Sequence, residues 1–369
     1  MRARVVFLTV MPSPYQRELF KAMHADRRLD IRVLYCTKNA SDRDWDPCSL
    51  FPFEEILPGT TLDWLGASAH LNAGIAQLVL KEHADLFILG DYSAPTTQIA
   101  MRLLTFKKKK WVFWGELPGL NQRGRLLSGL RKELQRPISR GAAAVAAIGS
   151  AAVDAYQNLC PGLPVYNIPY FCSLEPFKTA ARDRRLRRKA TVNILFSGQL
   201  IARKGVDLLI EAFLEVAHLV PDLHLTLLGT GPGRDALSAL IPAGLCDRVH
   251  FLGFQQPEAI PEIFAAADVF VLPSRHDGWG VVVNEALGAG LPIVVSDRVG
   301  ARDLVEEGRN GFVAPAGDVE SLANALLALG QSDELRTSFG SWSAQQAEHW
   351  DVGEGVRRWV DLCGEVLAG

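Results

Sequence analysis

Residues 268–291 of this 369-residue chain read DVFVLPSRHDGWGVVVNEALGAGL. The apolar, β-branched run from Val269 to Leu272 predicts a buried strand. A loop with two glycines follows, and a helical pattern begins near Gly280. A strand that leads through such a loop into a helix is typical of an anion site. The first N–H groups of the helix are unpaired there, and the helix dipole favours negative charge.

Two acidic side chains flank the start of this helix. Asp277 lies just before it, and Glu285 lies about two turns into it. One carboxylate in the loop and one on the helix would bind hydroxyl groups on either side of a bound phosphate, since ionised carboxylates accept hydrogen bonds. On spacing alone, a plain strand–loop–helix unit with a solvated Asp and a solvated Glu fits equally well.

Length and composition predict a globular protein with two domains. The chain is 48% hydrophobic and 22% charged, and its formal net charge of −2 argues against a dedicated nucleic-acid binder. Its six cysteines are scattered without a C-x-x-C pair. That spacing argues against a zinc knuckle or a disulfide framework and fits a reducing cytoplasm.

The apolar stretches of the chain are short. None reaches the length of a transmembrane helix. Arg2 and Arg4 precede the apolar run Val5–Val10, which is too short for a signal peptide and favours a first strand. We therefore expect a cytoplasmic protein that is soluble or peripheral on the inner face of the cytoplasmic membrane.

Strand patterns alternate with helical spacing through both halves of the chain. In the first half the predicted strands are 4–10, 31–35, 85–89, 111–114, 145–148 and 165–170, with a helix over 70–82. In the second half they are 193–196, 224–228, 249–252, 269–272 and 293–296. This alternation predicts an α/β fold of two doubly wound, Rossmann-like parallel-sheet domains that face each other across a cleft. The charged run 182–189 marks the boundary between domains over 1–175 and 190–349.

Polar residues of the first half follow the carboxyl ends of strands, where open α/β sheets bind ligands. These candidates are Ser13, Pro14, Tyr15, Asp91, Tyr92 and Glu116. Each also fits a turn or capping residue. The acidic loop 41–46 lacks the glycine and the spaced glutamate of an EF-hand, so we predict a solvated loop there and no metal site.

A basic segment occupies residues 102–140, where Lys and Arg far outnumber Asp and Glu. From Arg123 to Arg140, leucines interleave with arginines at near-helical spacing. This pattern predicts a basic amphipathic helix that lies on an anionic membrane surface. The alternative is an ordinary surface helix whose leucines face the core.

Strand-end loops of the second half have the composition of a nucleotide-diphosphate site. Besides Asp277–Glu285, they contain Gly198, Gln199, Arg203 and Lys204, then Gly229 and Gly231, then Gly253 and Phe254. The glycines permit a close backbone approach to phosphate. Arg203 would neutralise phosphate through a bidentate fork and Lys204 as a point charge, and Phe254 would offer a ring to a base. The turn at Gly231 is not a Walker A loop, because no Gly-Lys-Ser/Thr follows.

The order of these motifs resembles the donor-binding domain of the retaining glycosyltransferases of family 4, the glycosyl transferases group 1. The matching stretches lie within residues 193–330 and are 198–210, 228–233, 248–254, 267–292 and 307–313. The first half resembles a bacterial branch of the family more loosely, through Pro12–Tyr15 and Asn167–Tyr170. The resemblance implies the GT-B fold, with a C-terminal helix at about 350–369 that crosses back to the first domain. Trp350 and Trp359 would anchor that helix or simply pack in a core.

The resemblance also implies a nucleotide-sugar donor. Glu285 would contact the ribose hydroxyls and Asp277 the transferred sugar, while Arg203 and Lys204 would hold the phosphates. The amides that would face the sugar and the diphosphate are those of Gly278, Trp279 and Gly280. The chain departs from the family at Asp277, which is one methylene shorter than the usual Glu. It departs again at Pro12–Tyr15, which replaces a common Gly-Gly loop.

The implied reaction is sugar transfer with retention of anomeric configuration and without a metal or other cofactor. The acceptor would be a glycan or a lipid-linked glycan in bacterial cell-surface polysaccharide synthesis, bound by the N-terminal domain. Asp91 and Glu116 would orient the acceptor or stabilise developing positive charge, and Arg203 and Lys204 the departing diphosphate.

Other functions remain open on the sequence. An epimerase of GT-B architecture would not be expected to carry the Asp277–Glu285 pair. A phosphorylase needs a pyridoxal-binding lysine that the sequence does not identify. A catalytically silent nucleotide-sugar-binding assembly protein has the replacement of Glu by Asp277 as its only support.

Overall fold

The computed structural model describes residues 2–39, 49–61, 69–118, 125–184 and 191–369. The acidic loop 41–46, Arg123 and most of the charged run 182–189 lie outside these ranges. The chain divides into two compact units. Unit 1 consists of Met1–Phe171 and Val352–Gly369, and unit 2 consists of Cys172–Asp351.

The strands in chain order are β1 (Ala3–Thr9), β2 (Leu29–Tyr35), β3 (Glu54–Ile56), β4 (Thr60–Thr61), β5 (His70–Leu71), β6 (Leu86–Leu89), β7 (Trp111–Gly115), β8 (Ala144–Ala147), β9 (Val165–Asn167), β10 (Val192–Ser197), β11 (Leu223–Leu228), β12 (Val249–Gly253), β13 (Val269–Leu272), β14 (Ile293–Ser296) and β15 (Gly311–Ala314). The α-helices are α1 (Pro14–Asp26), α2 (Ile75–Lys81), α3 (Pro95–Phe106), α4 (Arg125–Gly141), α5 (Ser150–Leu159), α6 (Glu175–Arg184), α7 (Val206–Val216), α8 (Arg234–Ser238), α9 (Ile260–Ala266), α10 (Val282–Gly288), α11 (Val319–Gln331), α12 (Asp333–Gln346) and α13 (Val352–Ala368).

Unit 1 is built on a parallel sheet of seven strands in the order β3-β2-β1-β6-β7-β8-β9. Its central strands are continuous runs of buried apolar residues, as expected of a sheet covered by helices on both faces. The chain winds outward from β1 to β3 on one side and from β6 to β9 on the other. The loops after β1 and β6 therefore lie at the topological switch point, where such sheets bind ligands.

The last helix of the chain, α13, belongs to unit 1. Trp359 is fully buried, and its ring lies 5.1 Å from that of Trp114 and 5.3 Å from that of Phe7, edge-on in both cases. The ammonium of Lys110 donates to two carbonyl groups in the last turn of α13, at 3.0 and 3.2 Å, where the helix dipole favours a cation. The expected return of a C-terminal helix to the first unit is confirmed.

The helix predicted over 70–82 is shorter than expected. Strand β5 pairs with β4, and α2 begins only at Ile75. The fully buried Asn72 explains the difference, because its amide donates to the carbonyls of Cys36 and Leu57 at 3.0 Å each. An Asn side chain that bonds to distant backbone competes with the local helical pattern.

Unit 2 is built on a second parallel sheet, with the order β12-β11-β10-β13-β14-β15. The predicted α/β, doubly wound architecture is confirmed for both halves of the chain. The switch point of this sheet lies between β10 and β13. The loops that follow β10, β11, β12 and β13 thus meet along one edge of the sheet.

Unit 2 begins at Cys172, before the charged run 182–189 that the sequence placed at the domain boundary. That placement is wrong, because α6 packs against α9 within unit 2. The Phe177 ring lies 5.3 Å from that of Phe264, and the Lys178 ammonium lies 2.8 Å from the Asp351 carboxylate. Part of the expected linker is therefore a helix of unit 2.

Candidate functional site

Glycines let the loops after β10 and β11 of unit 2 touch along their backbones. Gly229 has φ +132°, and a Cβ there would lie 2.0 Å from the carbonyl oxygen of Gly198. A Cβ at Gly231 would lie 2.5 Å from the carbonyl oxygen of Leu200. No side chain fits at either position without a shift of backbone, so the Gly-rich turns build a close-packed surface at the strand ends.

Arg203 and Lys204 lie in a short 3-10 turn, Ala202–Lys204, after β10. The turn ends at Gly205, with φ +68°, where a Cβ would lie 2.3 Å from the carbonyl oxygen of Pro273. The backbone N–H of Arg275 donates to the Arg203 carbonyl at 2.8 Å. The loops after β10 and β13 are therefore joined directly, and the two cations stand beside the loop that carries Asp277.

The Asp277 carboxylate forms ion pairs with both cations. Its Oδ1 lies 3.3 Å from Nη1 of Arg203, and its Oδ2 lies 2.5 Å from Nζ of Lys204. The side chains of Asp277 and Lys204 are each 12% exposed and that of Arg203 34%. The hydroxyl of the buried Ser274 lies 3.5 Å from Oδ2. The sequence placed these three charged residues in one site, and they come together as a triad.

The backbone around Asp277 is fixed by the loop after β14. The Asp277 N–H donates to the Arg298 carbonyl at 2.9 Å, and the Asp277 carbonyl accepts from the N–H of Gly300 at 3.2 Å. Asp277 and Val299 form an isolated parallel bridge. The carboxylate is therefore presented from a rigid loop.

Glu285 lies in the first turn of α10, not two turns into the helix as predicted. The helix starts at Val282 because Gly280 has φ +96° and cannot be helical. Glu285 is half-buried. The carboxylate therefore lies near a helix start, as the sequence predicted, and the helix has 7 residues.

Trp279 packs into unit 2 rather than lining an open surface. Its side chain is 1% exposed, and its indole N–H donates to Oδ1 of the buried Asn284 at 2.9 Å. The ring of Trp350 lies 6.2 Å away. Only the backbone of Trp279 is thus available for the amide contact that the sequence predicted at Gly278–Gly280, and its indole anchors the loop to α10.

A second ion pair, which the sequence analysis did not predict, lies beside the triad. Arg275 makes two bonds to the Asp207 carboxylate, at 2.8 and 2.6 Å, and a third to the Ala202 carbonyl at 2.7 Å. The Arg275 guanidinium lowers the pKa of Asp207. Burial and the nearby Arg203 lower the pKa of His276, so its imidazole is neutral at pH 7.

The predicted base-stacking residue is exposed at the end of β12. Phe254 is 62% exposed and follows Gly253, which has φ +69°. Gln199 is also exposed, directly after the Gly198 contact. Both stay predictions as donor contacts.

Three predicted residues of unit 1 contribute to the starts of its helices. The Asp91 carboxylate accepts from the N–H groups of Ser93 and Ala94 at 3.0 and 2.8 Å, just before α3. The hydroxyl of the buried Ser13 donates to Gln16 at 2.8 Å, and the exposed Pro14 is the first residue of α1. A turn closed by its own carboxylate accounts for the position of Asp91 without a ligand.

Glu116 and Tyr15 are brought together by a residue outside the predicted set. Tyr170 donates its hydroxyl to Oε1 of Glu116 at 3.2 Å, and its ring lies 4.9 Å from that of Tyr15. Glu116 is exposed. Tyr92 packs separately, with its ring 6.0 Å from that of Phe113, and burial raises the pKa of its phenol. Tyr170 lay in the Asn167–Tyr170 motif, which was the available signal.

Helix α4 forms within the basic segment and has two distinct sides. Ile138 is fully buried, while Leu130 is 56% exposed. The exposed side chains also include those of Lys132, Arg136 and Arg140. In the described part of the chain, no helix combines the length and the apolar character needed to cross a membrane. The described residues also contain no cluster of three or more His, Cys, Asp or Glu side chains suited to a metal ion.

The family match lies in the second half of the chain. Residues 191–332 match the family model of the glycosyl transferases group 1. Alpha-D-kanosaminyltransferase of Streptomyces kanamyceticus is 33% identical over 58% of this chain and 57% of its own length. The lipopolysaccharide core biosynthesis glycosyltransferase LpsE of Rhizobium meliloti is 37% identical over 43% of this chain and 46% of its own length. The chain thus spans about half the length of these curated relatives.

Solved structures match along the whole chain. The structure of Anabaena Alr3699/HepE in complex with UDP covers 99% of this chain and 100% of its own, with a TM-score of 0.75 and 20% identity. The fold is therefore GT-B, as the sequence predicted. The match of residues 191–332 to the glycosyl transferases group 1 confirms, for this part of unit 2, the resemblance drawn from the motifs.

Proposed function

We propose that this protein is a retaining glycosyltransferase. It transfers a sugar from a nucleotide-sugar donor to a glycan or lipid-linked glycan in bacterial cell-surface polysaccharide synthesis. The observation that carries the proposal is the triad of Arg203, Lys204 and Asp277, set at the carboxyl edge of the unit 2 sheet beside the Gly198–Gly229 contact. Two adjacent cations beside glycine-lined backbone suit a diphosphate.

In the proposed reaction the bond from the anomeric carbon to the diphosphate oxygen breaks, and its electron pair leaves with the diphosphate. Arg203 and Lys204 stabilise that charge. The acceptor hydroxyl forms the new glycosidic bond on the same face of the sugar, and its proton passes to an oxygen of the departing phosphate. Glu285 holds the ribose hydroxyls and Asp277 the hydroxyls of the sugar. No metal takes part in this scheme.

Proteins similar to this chain support the class of substrate. Two of the relatives are named as a kanosaminyltransferase and as a lipopolysaccharide core glycosyltransferase, and a structural neighbour was solved with UDP. Uridine diphosphate sugars therefore come first in the donor panel. We propose the cluster of Tyr15, Glu116 and Tyr170 at the strand ends of unit 1 as part of the acceptor site.

The direct test incubates the protein with a panel of nucleotide sugars and lipid extracts and follows release of nucleoside diphosphate. We expect release that depends on acceptor, persists in EDTA and falls at least tenfold in Glu285→Gln, which loses the charge on the ribose contact. Binding of donor without any release favours the silent assembly protein. Interconversion of donor sugars without acceptor favours the epimerase.

We also propose that unit 1 lies on the inner face of the membrane through α4. The exposed Lys132, Arg136 and Arg140 supply positive charge, and the exposed Leu130 supplies apolar area. Binding to anionic vesicles, measured by sedimentation, is expected to weaken with added salt. It is also expected to weaken in the double variant Lys132→Glu, Arg136→Glu. Equal binding to anionic and neutral vesicles contradicts the proposal.

A further inference from the structure

Both oxygens of the Asp277 carboxylate face a cation. Oδ1 pairs with Arg203, and Oδ2 pairs with Lys204 and faces the hydroxyl of Ser274. In this arrangement one carboxylate offsets part of the positive charge of the two cations proposed to hold phosphate. A diphosphate that reaches the two cations competes with the Asp277 carboxylate for them. The groups proposed to bind the sugar and the phosphates therefore pair with one another in the triad.

We propose that Asp277 competes with the donor diphosphate for Arg203 and Lys204 and is exchanged for it during each turnover. This inference rests on the proposed function. When the donor binds, the diphosphate takes the two cations and Asp277 turns to the hydroxyls of the sugar. After transfer the sugar has left, the carboxylate returns to the cations, and the nucleoside diphosphate is expelled.

The mobile parts of this exchange are side chains. Asp277 is held at its backbone by Arg298 and Gly300, so it moves only about its two side-chain torsions. Arg203 keeps a second anchor, since its Nη1 donates to the His276 carbonyl at 3.1 Å. The exchange therefore leaves the cations near their positions in the triad and moves the carboxylate from them to the sugar.

The short side chain of Asp277 favours this behaviour. A carboxylate that one methylene joins to a rigid backbone reaches only a small volume. It therefore pairs with the cations or with the sugar but not with both. The inference differs from a pure sugar contact in one measurable respect. A nucleoside diphosphate carries no transferred sugar. If Asp277 contacts only the sugar, removal of its charge leaves the affinity for the diphosphate unchanged. If Asp277 competes with the diphosphate, removal of its charge raises that affinity.

The test measures binding of UDP, GDP and inorganic pyrophosphate to the full chain by calorimetry. Asp277→Asn keeps the shape and removes the charge, so we expect its diphosphate affinity to rise roughly fivefold while sugar transfer falls. Asp277→Glu retains the charge and is expected to stay within about twofold of the wild type. Asp333→Asn is the control for net charge, because Asp333 lies on α12 of the same unit with its side chain 92% exposed.

Unchanged or weaker diphosphate binding in Asp277→Asn overturns the inference and leaves the proposed function standing if transfer is observed in the wild type. Tighter binding in Asp277→Asn without any sugar transfer by the wild type overturns the proposed function alone. Absence of diphosphate binding in every variant overturns both. If Asp277→Asn does not fold, Asp277→Ser removes the same charge and is compared in the same way.

Discussion

Arg275 and Asp207 form a bidentate ion pair that joins the loop after β13 to the first turn of α7, with distances of 2.8 and 2.6 Å. The same guanidinium donates to the Ala202 carbonyl at the start of the turn that carries Arg203. The pair therefore fixes the turn that carries Arg203 and Lys204 relative to the loop that carries Asp277. Its contribution is to position the triad, since Arg275 itself pairs outside it.

Arg275→Ala is expected to raise the donor KM roughly tenfold with a smaller effect on kcat, because the turn with Arg203 and Lys204 loses its tether. Steady-state kinetics over a range of donor concentrations measure the split. Arg357→Ala provides a matched control, since Arg357 pairs with Glu354 and Asp361 on the surface of α13. An equal rise of KM in both variants argues against a positioning role.

Gly229→Ala is expected to destabilise unit 2 by about 2 kcal/mol or more and to abolish diphosphate binding. The new Cβ would lie 2.0 Å from the Gly198 carbonyl oxygen, on a backbone with φ +132°. Urea unfolding and calorimetry with UDP provide the two measurements. Gly244→Ala in the same unit is the control, because an added Cβ there meets no atom of the described chain within 4 Å. Normal UDP binding by Gly229→Ala contradicts the assigned site.

Tyr170→Phe is expected to raise the acceptor KM roughly fivefold, since it removes one hydrogen bond to Glu116 and keeps the ring beside Tyr15. The affinity for the donor nucleotide is expected to stay the same. Tyr166→Phe is a matched control, because it removes a similar 2.8 Å bond to Glu365 on β9 and α13. The acceptor assignment fails if the two variants have the same acceptor KM.

The parts of the site that could be predicted are those with a local signal. Apolar runs indicate buried strands, and glycines indicate the turns at their ends. Together these signals place Gly198, Gly229 and Asp277 at one edge of the sheet, where the structure has them. Arg203 and Lys204 were found because they are adjacent and follow a strand. The fold class followed from the same alternation of elements.

The remainder depends on partners that are distant in sequence. Nothing near Asp207 indicates Arg275, and nothing in the spacing of 70–82 indicates that Asn72 bonds to Cys36 and Leu57. The start of α10 was misplaced because the backbone of Gly280 is left-handed, which a helical pattern of apolar residues does not reveal. The boundary at 182–189 is misplaced because the packing of Phe177 against Phe264 joins residues that are distant in sequence, which a local charge pattern does not reveal.

The pKa of His276 lies below its ordinary value of 6.5, because burial and the neighbouring Arg203 disfavour the charged imidazole. Between the two values the unfolded chain binds the proton and the folded chain does not. The stabilisation from the neutral ring is therefore present above about pH 6.5 and is lost as the pH falls through the folded pKa. His276→Gln is expected to flatten this part of the stability profile.

A bound diphosphate is expected to raise the pKa of His276, because its negative charge offsets the repulsion from Arg203. NMR titration of the imidazole proton resonances with and without UDP measures the shift. His224 is the internal control, since it lies near the beginning of β11, at the opposite end of that strand from the Gly229 turn. Burial and His250 lower the pKa of His224. A UDP-induced rise at His276 with none at His224 places the anion beside the triad. Equal responses at the two histidines place it elsewhere.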